Sequence, residues 1–470
     1  MTSEETLYQK RIPIFPRSVK GRYRTLKYSI LFFAYAVYFL LPWVPWSRAD
    51  GPSQTILFDI VERRFYLFDL TVYAQDIFWL AGLLIVAAFL LFFVTGVAGR
   101  VFCGYFCFQT LWTDVFQLIE RLVQGERNAR IKLAAAPWGA NKITRMASTW
   151  LLWLLVAFWT GFSFTLYWSQ APVLFVQFFT GHAPFPAYAT TLFLTATTFV
   201  MAGLAREQVC TYMCPYARFQ SAMFDSDTLI VAYDERRGER QAGRAKPVKN
   251  LLEQQQRIDQ GVGDCIDCGY CVQVCPVGID IRNGMQYQCI SCALCVDACN
   301  TIMSAIKYPT GLIRYTSENQ LLGKRTNWFK LKNVGYALAI LIVIGLLSWS
   351  IGHRAAIEMS VSQIRQPLYV MLSDGSIQNR YSVKINNKLS KTVSYTLTVQ
   401  DLPGAQWEVR PSSVISLGPG ESASYEVRVW LKPGNNDEHD MDFLFVLQHA
   451  QEHTAAVNKQ VDFYIPHNMR

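Results

Sequence analysis

Eight of the 12 cysteines stand in two runs of identical spacing, a pattern that can bind iron. Each run reads C-x2-C-x2-C-x3-C; the first holds Cys265, Cys268, Cys271 and Cys275, and the second holds Cys289, Cys292, Cys295 and Cys299. Short loops with this spacing ligate pairs of 4Fe–4S clusters. Three thiolates of one run fit around one cluster, whereas the fourth lies too far along the chain to close it.

The fourth cysteine of each run is therefore expected to ligate the other cluster, as in two-cluster bacterial ferredoxins. The predicted ligands are Cys265, Cys268, Cys271 and Cys299 for the first cluster, and Cys289, Cys292, Cys295 and Cys275 for the second. Two zinc sites built from the same CxxC pairs are the alternative, but the register of all eight favours clusters. Asn300 stands where a proline usually follows the second run; that proline shapes a turn and is not a ligand.

The other four cysteines form two C-x3-C elements, each a few residues beyond an apolar run. They are Cys103 and Cys107, and Cys210 and Cys214 followed by Pro215. We interpret them as a weak internal repeat, and parallel repeats related by an axis along the membrane normal would bring all four thiols together. Four soft ligands suit Cu(I), zinc or an iron–sulfur centre. Alternatively, each pair acts as a redox dithiol, or all four are inert buried cysteines.

The composition indicates a membrane protein with soluble parts. Hydrophobic residues make up 51% of the chain and charged residues only 17%, a balance that few soluble domains have. Apolar runs approach or reach the length of a membrane-spanning helix at five places: Tyr28–Val44, Ile77–Gly99, Thr149–Trp168, Tyr188–Ala205 and Val334–Ile351. Five spans form an α-helical transmembrane bundle.

The distribution of Lys and Arg predicts the orientation. Seven stand in Met1–Lys27, two in Asp50–Asp76, seven in Arg100–Ser148, none in Ser169–Ala187 and 16 in Arg206–Lys332. This alternation predicts a cytoplasmic N-terminus and cytoplasmic clusters in a bacterial inner membrane, with the C-terminal region in the periplasm. All cysteines then lie on the reducing side, where thiols persist. The net charge of +9 reflects these inside loops rather than a nucleic-acid surface.

The C-terminal region has alternating segments typical of an immunoglobulin-like β-sandwich. The predicted strands are Leu368–Leu372, Tyr381–Ile385, Val393–Val399, Gln406–Arg410, Ala423–Leu431, Phe443–Gln448 and Val457–Tyr464. The predicted core consists of Trp407, Tyr425, Val427, Phe443, Phe445 and Phe463. The predicted domains are a basic arm (1–27), a four-span domain (28–232), a linker and two-cluster ferredoxin-like domain (233–332, clusters at about 258–310), a fifth span (333–352) and the sandwich (353–470).

This combination of C-x3-C elements, a two-cluster insert, a last span and an immunoglobulin-like tail resembles the FixG/CcoG/RdxA family of accessory proteins for cbb-type cytochrome c oxidase. The membrane half is also similar to NapH-type quinol dehydrogenase subunits, but the fifth span and the sandwich favour the first family. The resemblance implies an inner-membrane cupric reductase that supplies Cu(I) to the oxidase. It implies oxidase assembly factors and copper chaperones as partners, and leaves the electron donor open.

The resemblance also implies that Cys210, Cys214 and Pro215 handle copper, with Cys103 and Cys107 as a counterpart that lacks the proline. Two other functions stay open. The chain is an electron conduit that takes electrons from quinol and passes them to another redox protein, or it is an assembly scaffold whose clusters sense redox state or stiffen the fold.

Overall fold

The computed structural model describes residues 13–465 apart from 49–50, 62, 74–75, 249–250, 252, 354, 390, 433–439 and 450–454. The helices of this part of the chain are α1 (Arg22–Leu40), α2 (Ile77–Ala98), α3 (Val101–Tyr105), α4 (Phe108–Gln124), α5 (Arg127–Ala135), α6 (Ala140–Leu166), α7 (Ala171–Phe179), α8 (Phe185–Thr198), α9 (Pro215–Ala222), α10 (Glu235–Gly238), α11 (Gln254–Asp259), α12 (Tyr270–Gln273), α13 (Leu294–Ala305), α14 (Glu318–Leu321) and α15 (Leu331–Gly352).

The strands fall into four sheets. They are β1 (Ile56–Asp59), β2 (Arg64–Leu67), β3 (Leu70–Tyr73), β4 (Ile230–Tyr233), β5 (Ile313–Thr316), β6 (Ile357–Gln363), β7 (Val370–Met371), β8 (Ile377–Asn387), β9 (Val393–Gln400), β10 (Gln406–Arg410), β11 (Val414–Leu417), β12 (Ser422–Leu431), β13 (Asp440–His449) and β14 (Ala455–Tyr464).

Five helical segments of the described chain are long and apolar enough to cross a membrane, as the sequence predicts. They are Arg22–Trp43, Ile77–Ala98, Ala140–Leu166, Phe185–Ala205 and Leu331–Gly352. The first begins earlier than its apolar run because its basic residues are neutralised inside the protein. Lys27 Nζ lies 2.9 Å from a carboxylate oxygen of the buried Asp114, and Arg24 lies 3.5 Å from the other.

The cluster region is a small domain built around a two-stranded antiparallel sheet. Strand β4 pairs with β5, so that Ile230 faces Thr316 and Tyr233 faces Ile313. A solvated linker was expected at the start of this region, but β4 forms part of the sheet instead. Its alternate residues Val231 and Tyr233 are buried in the core of the domain. Apolar alternation over only four residues gives too weak a sequence signal to reveal this strand.

The basic arm also packs on the cluster domain, at least over its described residues 13–21. The Arg17 N–H donates to the Gln273 carbonyl at 2.7 Å, and the Tyr270 hydroxyl donates to the Ser18 carbonyl at 2.9 Å. Val19 is buried in an apolar cluster of this domain. The arm is thus part of the cluster fold and not only a topology signal.

The C-terminal strands form the predicted sandwich of two sheets. One sheet has the order β10-β12-β8-β6, with β7 beside β8, and the other has the order β11-β9-β13-β14. All seven predicted segments contain strands. Strands β6 and β11 were not predicted: β6 directly follows the last span, and β11 has only four residues.

Four of the six predicted core residues of the sandwich are buried: Val427, Phe443, Phe445 and Phe463. Tyr425 is partly buried against the core. The prediction for Trp407 is wrong, since its side chain is 42% exposed. Strand β10 lies at the edge of its sheet, and Val409 is its buried residue. Trp407 and Val409 are two residues apart and lie on the same face of the strand, but Trp407 packs less deeply than Val409 at this open edge.

Candidate iron–sulfur and copper site

The eight cysteines of the two runs line two neighbouring cavities of the cluster domain. One cavity is lined by Cys265, Cys268, Cys271 and Cys299, together with apolar side chains such as Met303 and Leu312. The other is lined by Cys275, Cys289, Cys292 and Cys295, with Cys271 at its edge. Each cavity therefore collects the four cysteines that the spacing assigns to one cluster. The fourth cysteine of each run crosses over, as the pattern requires.

The two ligand loops have the same backbone conformation. In the first loop, Asp267 and Gly269 adopt the left-handed region, with φ of 49° and 64°. Ser291 and Ala293 do so at the equivalent places of the second loop, with φ of 52° and 57°. Residues other than glycine rarely adopt this region. These positive φ angles at matching positions curve each loop around its cavity.

The chemistry of the cavities fits iron–sulfur clusters. Burial raises the pKa of the thiols of Cys275 and Cys299 to about 12 and of Cys271 and Cys289 to about 11. Such thiols are protonated at neutral pH until they bind metal, which displaces the protons. Among the described residues, no group of three or more Cys, His, Asp or Glu side chains converges on the position of a single ion. The four thiols that line each cavity supply the ligands that one 4Fe–4S cluster needs.

The two C-x3-C elements adopt matching local structures. Cys103 lies in α3, and Cys107 is the N-cap residue of α4, with extended backbone angles. Cys210 lies in a wide π-helical turn (Val209–Met213), and Cys214 is the N-cap residue of α9, also extended. In both elements a short helical turn follows a membrane span and ends at a cysteine that starts the next helix. Pro215 occupies the first turn of α9, where its missing N–H costs nothing.

The structure gathers these four cysteines in one region. The Cys103 Sγ donates to Gln220 Oε1 on α9 at 3.2 Å, which ties the first pair to the helix that follows the second. Burial, together with the neighbouring thiols of both pairs, raises the pKa of Cys103 to about 12 and that of Cys210 to about 11. All four side chains are half-buried. Among the residues that the structure describes, no three of them form a group able to hold one ion.

The first pair lies directly against the second cluster loop. A Cβ atom on Gly104 would lie only 2.7 Å from the Ile290 carbonyl oxygen and 3.0 Å from Cys292 Cα. The adjacent Tyr105 hydroxyl donates to the Cys292 carbonyl at 3.1 Å. Only glycine allows this close approach of two backbones. One end of the four-cysteine region therefore contacts the cavity of the second cluster.

Arg100 and Cys210 make further links to this loop. The buried Arg100 guanidinium donates to the Tyr287 carbonyl and, at 3.5 Å, to the Cys289 carbonyl. Its charge acts on Cys103, Cys289, Cys210 and Cys214. A small cavity is lined by Cys210 together with Pro276, Val277 and Ile290 of the cluster loops.

A buried ion pair positions the second pair. Arg206, which leads from the fourth span to Cys210, has φ of 38°, a strained value for a residue with a side chain. Its guanidinium binds Glu120 of α4, with Nη1 3.1 Å from Oε2, and donates to the Gly203 carbonyl at 2.7 Å. Arg130 binds the same carboxylate at 3.1 Å. These bonds offset the strain of the turn.

Sequence reasoning did not identify Arg100, Glu120, Arg206 or Gln220 as parts of this region. No sequence pattern marks them, because each acts through a partner that is distant in the chain. Arg100 has the clearest signal, since it is a basic residue between an apolar span and a C-x3-C element.

Known proteins resemble this chain over most of its length. Residues 205–318 match a family described as a 4Fe-4S dicluster domain, and residues 347–466 match the IG-like fold at the C-terminal of FixG. Protein RdxB of Cereibacter sphaeroides is 42% identical, over 91% of this chain and 92% of that protein. Nitrogen fixation protein FixG of Rhizobium meliloti is 35% identical, over 98% and 94%. Protein RdxA of Cereibacter sphaeroides is 39% identical, over 91% and 90%.

Proposed function

Because the chain belongs to the FixG/RdxA family of iron–sulfur membrane proteins, we propose that it reduces Cu(II) to Cu(I) at the four-cysteine region with electrons that pass through two 4Fe–4S clusters. The contact of Gly104 with the backbone of Ile290 and Cys292 carries this proposal. It leaves the soft-ligand region and the second cluster cavity separated by little more than one layer of backbone.

The electron count is consistent with this reaction. Bound clusters would transfer one electron at a time, and Cu(II) needs one electron to become Cu(I). The residues that would hold the clusters are the four cysteines lining each cavity. Thiolates favour Cu(I) over Cu(II), so the C-x3-C elements make the reduction of copper bound there more favourable. Each thiol that becomes a ligand releases a proton.

The loose arrangement of the four thiols suits copper as a substrate. A set of four converging thiolates would bind Cu(I) tightly and retain it, whereas a substrate ion must leave after reduction. In the described part of the chain no three of these thiols are arranged to hold a single ion. Exchange of the ion between the Cys103–Cys107 pair and the Cys210–Cys214 pair provides a path by which Cu(I) leaves the four-cysteine region.

We place the clusters and the four cysteines on the cytoplasmic side of a bacterial inner membrane and the sandwich in the periplasm. The excess of Lys and Arg in the segments around the cysteines supports this orientation. The Cu(I) product would serve the assembly of cbb-type cytochrome c oxidase, and the sandwich would bind oxidase assembly factors or copper chaperones.

The test is copper reduction by prereduced protein. Wild type and the Cys210→Ala/Cys214→Ala variant are purified anaerobically in detergent, reduced with dithionite, freed of excess reductant and mixed with Cu(II). Loss of the Cu(II) EPR signal is expected to slow by about tenfold or more in the variant, with iron content and reduced-cluster spectrum unchanged. Thr211→Ala, within the same turn, is the control and should behave as wild type.

Equal rates in wild type and the double variant would refute the copper-site assignment. Wild-type protein with reduced clusters that leaves Cu(II) untouched would refute the reductase function. That result would favour the electron conduit or the scaffold.

A further inference from the structure

The largest cavity described in the cluster domain holds none of the cysteines. It has a volume of about 470 Å³, within the usual range of small-molecule sites. Its apolar wall is formed by Phe224, Ile230, Ala232, Met285, Leu321 and Leu322. The exposed carboxylates of Glu235 and Glu318 lie at its rim. The rest of the lining is polar and includes Asp225, Ser226, Thr228, Asp234 and Arg236. An apolar wall that faces polar groups suits a flat aromatic ring with polar substituents.

Strand β4 separates this cavity from both cluster cavities. Its residues Ile230 and Ala232 line the cavity. Val231 lines the cavity of the second cluster, and Tyr233 lines both the cavity of the first cluster and the large cavity. Neighbouring side chains of a strand point to opposite faces. A ring held against β4 would therefore be separated from each cluster cavity by this one strand.

The cavity also lies beside the polar ends of two membrane-spanning helices. The Leu229 N–H, just before β4, donates to the carbonyl of Val97 near the end of α2 at 3.0 Å. Asp225, on the cavity wall, forms ion pairs with Lys330 and Lys332 at the start of α15. These contacts place one side of the cavity next to the ends of two candidate membrane spans, on the path of a donor that comes from the membrane.

We infer that this cavity binds the hydroquinone ring of a membrane quinol, which donates electrons across β4 to the two clusters. This inference rests on the proposed electron-transfer function and names its donor. Two O–H bonds of the ring break and two C=O bonds form. Clusters held by the cysteines of the two cavities would each accept one electron, and the two protons leave past Glu235 and Glu318 to water. Two one-electron acceptors behind the same strand match a two-electron donor, and each electron then reduces one Cu(II).

The experiment uses the full-length, cluster-loaded protein in lipid nanodiscs without copper. Decylubiquinol is added anaerobically, and cluster reduction is followed by visible absorbance and EPR. Ala232→Phe fills the cavity from the strand and is expected to slow reduction by quinol about tenfold or more. Ala305→Phe, the same change at an exposed site of α13, should react as wild type. Reduction by dithionite should be equal in all three, because this small reductant does not need the cavity.

A second variant tests the cavity independently, in case Ala232→Phe does not fold. Leu322 is 47% exposed, so Leu322→Glu places a charge in the apolar wall without burying it and should also slow the quinol reaction. Reduced flavin mononucleotide serves as a soluble donor with related ring chemistry.

Slow reduction in both cavity variants, with unchanged iron content, supports the inference. Wild-type clusters that quinol does not reduce, or variants that react at the wild-type rate, would overturn it. Reduction by flavin but not by quinol would overturn the membrane donor. Copper reduction by dithionite-reduced Ala232→Phe protein should stay at the wild-type rate, so failure of this inference is distinguishable from failure of the reductase function.

Discussion

The first membrane helix has its N-terminus capped by the cluster domain. Gly21, its N-cap residue, has no side chain that could accept a hydrogen bond. Instead the carboxylate of Asp297, on α13 between two cluster cysteines, accepts from the N–H groups of Tyr23 at 3.2 Å and Arg24 at 2.8 Å. Asp297 is 5% exposed, so water cannot replace it.

Replacing Asp297 by alanine removes both bonds and leaves two N–H groups without an acceptor. A hydrogen bond to a charged group contributes about 1.5–3 kcal/mol, and loss of a helix cap costs about 1–2 kcal/mol. These effects overlap, so we expect a loss of about 2–3 kcal/mol in the free energy that holds α1 on the cluster domain. That is a factor of about 30–150 in the equilibrium between docked and undocked states.

The assay is the thermal loss of cluster absorbance from detergent-purified protein, with iron counted before heating. Asp297→Ala should lose its clusters at a lower temperature than wild type and at a faster rate. Asp297→Asn keeps an acceptor oxygen but no charge, and should fall between the two. Wild-type cluster retention in Asp297→Ala would refute the idea that this carboxylate joins the first span to the cluster domain.

Two further changes test the packing around the site. Gly104→Ala should cost about 1–3 kcal/mol by overpacking against the Ile290 and Cys292 backbone, and should lower the iron content or disturb the second-cluster EPR signal. Gly139→Ala, whose added Cβ meets nothing within 4 Å, is its control, and equal effects of the two would contradict the close contact. Asp225 is partly buried, which raises its pKa, but hydrogen bonds from Lys330, just before α15, and from Lys332, within it, outweigh this and lower its pKa well below the usual range. The ion pair therefore stabilises the fold above pH 4 and is lost as the pH falls below the normal aspartate pKa; because the group is partly exposed, the contribution is under about 1 kcal/mol. Asp225→Asn should reduce the difference in stability between pH 7 and pH 3, measured by thermal unfolding. An unchanged difference would contradict the contribution of this ion pair to stability.

The sequence predicts the parts of this fold that have a periodic pattern of hydrophobic residues. The five apolar spans and most sandwich strands carry regular hydrophobic patterns, and the structure contains them. Trp407 shows where the pattern is insufficient. Its position in a strand is predictable, but its exposure depends on β10 being at a sheet edge, which is set by the strand order.

The candidate site also has parts that the sequence predicts and parts that it does not. The cluster cysteines can be paired from spacing alone, because ligand geometry constrains a short loop strongly. The residues that join the cluster domain to the membrane helices, such as Gly104, Asp297 and Arg100, leave no comparable trace. Their partners are up to 274 positions away, and glycine, aspartate and arginine are common in many other roles.

The cap on α1 has a consequence for how the protein is made. The ribosome delivers the first span early, but the carboxylate that completes its N-terminus arrives only 273 residues later, after four spans have been synthesised. Domains usually fold in the order of synthesis. Here the first span stays incomplete until the cluster helix reaches it, so membrane insertion and cluster loading are expected to finish together, as one late step of biogenesis.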